Sequence, residues 1–155
     1  MKKLTPEQLQ EKLQAQINNI DKIKTMTVKV GIISSGSGVY ENGENVIDIG
    51  IRHEYGTEDI PRRSFLRAPF FMKKKEMSSF INKQFKKVIE EGRPAETALE
   101  LIGIKAQSIS QEAFTSSGYG QWPALSPKTI EKKGSSQALI DTGTLRNSIT
   151  YQVKK

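Results

Sequence analysis

The sequence predicts an α+β domain: a small antiparallel sheet packed against two long helices, with a further helix at the N-terminus. Three patterns carry that expectation. A capped apolar run at helical spacing opens the chain. One alternating stretch follows it and another ends the chain. Between them lie two long segments of helical period. The 155 residues match the length of a single domain. Its parts read as an N-terminal helix (1–24), a strand and loop region (25–56), a loop rich in proline and arginine (57–67), a helical hairpin (68–115), and a final stretch of loops, short helices and a strand (116–155).

Thr5, Pro6 and Gln8 combine a hydroxyl cap, proline at the first helical position and a reciprocal capping side chain. Leu9, Leu13, Ile17 and Ile20 then form one narrow apolar stripe. Met26, Val28, Val30 and Ile32 alternate with Thr27, Lys29 and Gly31 as a half-buried strand. The 46–55 segment fits two readings. Ile47, Ile49 and Ile51 alternate like a strand, whereas Ile47, Ile51 and Tyr55 share one helical face. The helix is preferred, with Gly56 as its left-handed cap. Pro61 excludes helix at Ile60. A single long helix is expected from Ala68 to Glu91, with Met77, Ile81, Phe85 and Val88 inward and Gly92 as its stop. Ala95, Leu99, Ile102, Ala106, Ile109 and Ala113 recur every three or four residues, and the alanines allow a close helix approach. Ser126 and Pro127 open a short helix, and Asp141, Thr142 and Gly143 cap a last helical turn. Ile149, Tyr151 and Val153 form a terminal strand expected to pair with the first.

Composition narrows the chemistry. There are no cysteines, which excludes disulfides and thiolate sites, and cytosolic folding is the natural reading. No apolar run approaches membrane-spanning length, and no apolar stretch follows the basic start as in a secretory leader. Ten basic residues against three acids between Pro61 and Pro94 account for the whole net charge of +7. Such a segment suits nucleic acid or an acidic protein surface, or is a solvated helix face. His53 is the only histidine, so a metal site built on several histidines is excluded. There is no Gly-X-Ser-X-Gly elbow and no phosphate-binding loop signature. Asp48 with Glu54 and Glu58 with Asp59 are the available carboxylate pairs, and neither is a convincing catalytic set. The sequence therefore predicts no catalytic residue, metal or cofactor.

The candidate contact residues are Arg62, Arg63, Phe65 and Arg67 in the loop, with Lys73, Lys74 and Lys75 beyond it. Arginine grips carboxylate or phosphate with fixed geometry, and Pro61 stiffens the segment. Trp122 with Tyr119 could stack on bases; the favoured reading makes Trp122 a lid that anchors its loop to the core. Gly56, Pro61, Trp122, Leu125, Asp141, Gly143 and Leu145 are the structural positions of the same two stretches.

Those stretches are His53-Glu54-Tyr55-Gly56-Thr57 with Ile60-Pro61-Arg62-Arg63-Ser64-Phe65-Leu66-Arg67-Ala68, and Trp122 to Ile130 with Lys133-Gly134 and Leu139 to Ile149. Together they resemble the neck and tail-completion proteins of long-tailed bacteriophages, the tail-component or virion-morphogenesis family. The likeness covers about residues 46–153. It departs at Ser64, where relatives often carry proline, and that reads as a looser loop. The resemblance implies a non-enzymatic virion protein, phage- or prophage-borne. It would act in the host cytoplasm during assembly and then at the head–tail junction or tail end. Implied partners are other neck, connector or tail proteins and copies of itself in a ring, with non-specific contact to DNA phosphates open. Loops 34–44, 115–121 and 134–137 would order on assembly. A stand-alone basic nucleic-acid-binding module is the alternative; a small hydrolase or nuclease is weaker.

Overall fold

The computed structural model describes residues 4–33, 38–40, 43–139 and 143–155. Helix α1 (Pro6–Thr25) starts as its sequence dictates: the Thr5 side chain accepts from the Gln8 amide, and the Gln8 side chain accepts from the Thr5 amide. Strand β1 (Thr27–Ile32) pairs antiparallel with the terminal strand β2 (Ile149–Lys154), running from Thr27 opposite Lys154 to Ile32 opposite Ile149. Among the described residues the sheet has these two strands alone, and the architecture is α+β with a small antiparallel sheet.

Between the strands lie α2 (Val46–Tyr55), α3 (Arg67–Met72), α4 (Lys74–Glu91), α5 (Ala95–Thr115), α6 (Pro127–Lys133) and α7 (Thr144–Asn147). Helix α5 is the centre of the molecule. All six positions of its apolar repeat are buried. The sheet packs on it closely enough that a side chain at Gly103 would run into the Tyr151 ring. The main core gathers Val46, Phe65, Phe114, Leu145 and Ile149 from five separate parts of the chain.

Several readings change in the structure. The stripe of α1 is half-exposed: Leu9, Leu13 and Ile17 keep 48–51% of their surface, and α1 has no buried residue. Its ties to the body come from Gln16 donating to the Ile89 carbonyl, Asn19 accepting from the Ala95 amide, and Lys22 pairing with Glu96 at 2.8 Å. Periodicity marks an apolar face; it does not say what covers it. The buried face of α2 is Val46, Gly50 and Glu54, one residue out of phase with Ile47, Ile51 and Tyr55, because small Gly50 faces Ile32, Leu145 and Phe65 of the core. The long helix is two. At Lys73 (φ −91°, ψ 13°) the chain leaves helical geometry, burying Pro69 in α3 and bringing the Lys73 ammonium over the Tyr119 ring at 4.9 Å. The 115–121 loop is already closed on α5, with Gly118 N–H donating to Ala113 and the Tyr119 hydroxyl to Ile109. Parts of loop 34–44 lie outside the described residues.

Glycine caps behave as their chemistry requires. Gly92 ends α4 in left-handed geometry (φ 71°, ψ 24°), whereas Gly56 has positive φ with extended ψ (φ 80°, ψ 166°) and so is not a left-handed cap. Gly143 opens α7 at φ 78°, ψ 1°, while its expected partner in that cap, Asp141, lies outside the described residues. A β-branched side chain is strained at that φ, so Gly143→Val should lose about 1–2 kcal/mol and lower the melting temperature by roughly 3–8 °C. Calorimetry checks this; unchanged melting would remove the conformational requirement.

Candidate functional site

The 62–67 loop is folded around one carboxylate. Glu54, on the buried face of α2, is 4% exposed. Its Oε1 accepts from the Ser64 hydroxyl at 2.8 Å, the Arg67 amide at 3.0 Å and Arg67 Nε at 3.1 Å. Its Oε2 accepts from the amides of Phe65 at 2.8 Å and Leu66 at 2.9 Å. Burial alone would raise the pKa of this group. The backbone donors at Leu66 and Arg67, with the side chains of Ser64 and Arg67, outweigh burial and hold it below the ordinary 4.5. Successive amides of one loop thus converge on a single anion, which fixes the path of the chain.

Remote segments complete the frame. Arg63 is 5% exposed and donates through Nε to the Pro123 carbonyl at 3.1 Å and through a terminal nitrogen to the Ala124 carbonyl at 3.2 Å. The Trp122 indole donates to the Ser64 carbonyl at 2.9 Å and stands edge-on to Phe114 at 5.5 Å between centroids. Ser110 donates from α5 to the Phe65 carbonyl at 2.7 Å. The 53–68 and 122–149 stretches, read separately from the sequence, are therefore bonded to each other.

No family model, curated protein or solved structure matches this chain.

The frame separates the expected contact residues into two groups. Arg63 and Phe65 are corrected: both are buried, Arg63 by its two carbonyls and Phe65 by the Phe114 ring at 5.3 Å, so neither can meet a partner at the surface. Ser64 tightens the loop rather than loosening it, since it is buried, donates to Glu54 and accepts from the Ala68 amide at 3.0 Å. Arg62 is exposed and makes no ion pair among the described residues. The Arg67 side chain remains 57% exposed although it bonds Glu54, and its guanidinium lies over the Tyr55 ring at 4.1 Å. Lys73 pairs with Glu76 at 3.2 Å, while Lys74 and Lys75 are exposed. Trp122 is the anchor favoured from the sequence, Leu145 is core, and Leu125 lines a cleft.

The sequence reading missed the apolar part of this surface. Phe71 is 82% exposed, Tyr55 60% and Ile51 52%, and Arg67 forms a shared wall of the two shallow grooves in which these residues lie. An exposed phenylalanine beside Arg62 and Arg67 is the available signal, legible only once Phe71 is known to face outward while Pro69 is buried. The proposed carboxylate pair of Asp48 and Glu54 does not form: Asp48 is exposed and Glu54 is spent on the loop.

His53 lines a separate cleft, about 700 Å³, with Ile49, Ile60, Arg63 and Leu125. Its Nδ1 is buried with no hydrogen-bond partner among the described residues, so among them no carboxylate orients the ring through that nitrogen. Burial first, then the positive charges of Arg63 and Arg52, lower its pKa from 6.5 to about 4. The unfolded chain takes up a proton over that window and the folded chain does not, so stability should fall as pH drops from 6.5 to about 4. His53→Gln should flatten the decline, measured as urea midpoints against pH; an unchanged slope would assign it elsewhere.

Proposed function

We propose that this protein is a structural component of a long-tailed bacteriophage particle, acting at the head–tail junction or tail end during assembly. The observation that carries the reading is the bonding of the two resembling stretches: Arg63 to the Pro123 and Ala124 carbonyls, and Trp122 to the Ser64 carbonyl. Residues some sixty positions apart are here one mechanical unit. A unit of that kind holds a surface rigid, and rigid surfaces cost less to dock.

The surface it holds has interface composition. Tyr55, Phe71, Arg62 and Arg67 are the residue types enriched where proteins meet. A ring requires two unlike patches on each subunit, and this would be one of them. Partners are neighbouring neck, connector or tail proteins or a second copy. No helix among the described residues is long and apolar enough to cross a membrane.

Phe71→Asp combined with Arg62→Glu is the test, because both side chains are exposed and neither belongs to the Glu54 frame. The double variant should fold with an unchanged melting temperature, yet leave heads and tails unjoined by electron microscopy. Wild-type infectivity would sink the contact role of this surface. Particles that join normally without the protein would sink the assembly reading itself.

A further inference from the structure

Helix α4 carries a feature that the assembly surface does not use. Its inward face is Met77, Ile81, Gln84 and Val88. At about 100° per residue, Lys75, Lys83 and Lys86 fall within about 80° of one another on the opposite side, spread over roughly 16 Å of helix. All three are exposed, as are Ser78, Ser79 and Asn82 between them. Acids intrude little on this strip. Glu76 lies at its edge and is held by Lys73 and Lys105. Glu90 lies past its end, 3.7 Å from Lys86. Lys74, Lys75, Lys83 and Lys87 make no ion pair among the described residues.

We propose that this strip binds the phosphate backbone of double-stranded DNA without reading its sequence. The choice of partner follows from residue type. Lysine is depleted where proteins meet, and docking surfaces centre on aromatic and arginine anchors. The strip has no aromatic residue or arginine on its exposed face, only flexible point charges and short polar groups in a row. That arrangement suits a rail of phosphates approached without fixed geometry. With three principal charges the contact is weak and strongly salt-dependent. The strip is a different surface from the Tyr55–Phe71 patch, so its test and the assembly test fail independently.

The experiment measures binding of the full-length protein to mixed-sequence duplex DNA from about 20 to 150 mM salt. Each neutralised phosphate contributes about 0.9 to the slope of log affinity against log salt, so a slope of about −2.7 is expected, or roughly 20-fold weaker binding per threefold rise in salt. Each of Lys75→Gln, Lys83→Gln and Lys86→Gln should reduce the slope by about one, and the triple variant should lose most of it. A control with equal charge loss, Lys12→Gln with Lys29→Gln and Lys128→Gln, should keep it. No retention of DNA at the lowest salt overturns the proposal. So does equal loss in the two triple variants, which would reduce the effect to net charge. Tighter binding of polyglutamate than of DNA at equal charge would assign the strip to an acidic protein.

Discussion

Glu54→Ala should remove a large share of the stability of this domain. The substitution orphans the amides of Phe65, Leu66 and Arg67 and the Ser64 hydroxyl, and it leaves Arg67 without its anionic partner. A buried donor left unpaired costs about 1–3 kcal/mol, while losing the ion pair itself adds little, because Arg67 is 57% exposed and water takes over its charge. These penalties overlap, because a relaxed loop lets some amides reach water. A loss of about 4 kcal/mol is expected, against a total of about 5–15 for a domain. Glu54→Gln keeps the shape but has one accepting oxygen, and about half that loss is expected. Urea denaturation of both variants is the measurement, and a change under about 1 kcal/mol for Glu54→Ala would show that the carboxylate does not organise the loop.

The same residue sets an acid limit. Its folded-state pKa lies below the ordinary 4.5, so its contribution is complete above that value and is lost as pH falls through the folded-state pKa. In Glu54→Gln that part of the acid transition should vanish, while the decline between pH 6.5 and about 4 assigned to His53 should remain.

Arg63→Glu should also destabilise the fold rather than merely disarm a contact. The reversed charge would sit buried against two carbonyl oxygens that now accept from the guanidinium. Like-signed dipole and charge in a desolvated place have no relief except opening the structure. A loss of at least about 3 kcal/mol is expected. Arg63→Met, which keeps the apolar stem and gives up the two hydrogen bonds, should lose about 2. Near-equal stability of Arg63→Glu and the parent would place the side chain at the surface. Arg62→Glu is the matched comparison, with a change within about 0.5 kcal/mol, since that residue is exposed. Two adjacent arginines of the same loop thus separate into a structural and a surface residue by stability alone.

Helices α1 and α6 were legible with their caps and α5 by its apolar repeat, as was the pairing of the first and last strands. The candidate site was legible as a segment but not residue by residue. Arg62, Arg63 and Arg67 look alike in the chain; one is exposed, one buried and one divided between Glu54 and Tyr55. Glu54 read as half of a carboxylate pair because nothing local announces that four later residues will aim donors at it.

What the sequence determined by itself was local: where helices begin, which residues share a face, and how the charge is concentrated. Those properties follow from backbone geometry and from bonds spanning three or four residues. Only the tertiary structure decided which face meets the core. Pro123 and Ala124 take Arg63 out of solvent, Phe114 packs between Phe65 and Trp122, and the Leu9–Ile17 stripe stays half-uncovered. Burial belongs to pairs of segments far apart in the chain, and no periodicity within one segment encodes its cover.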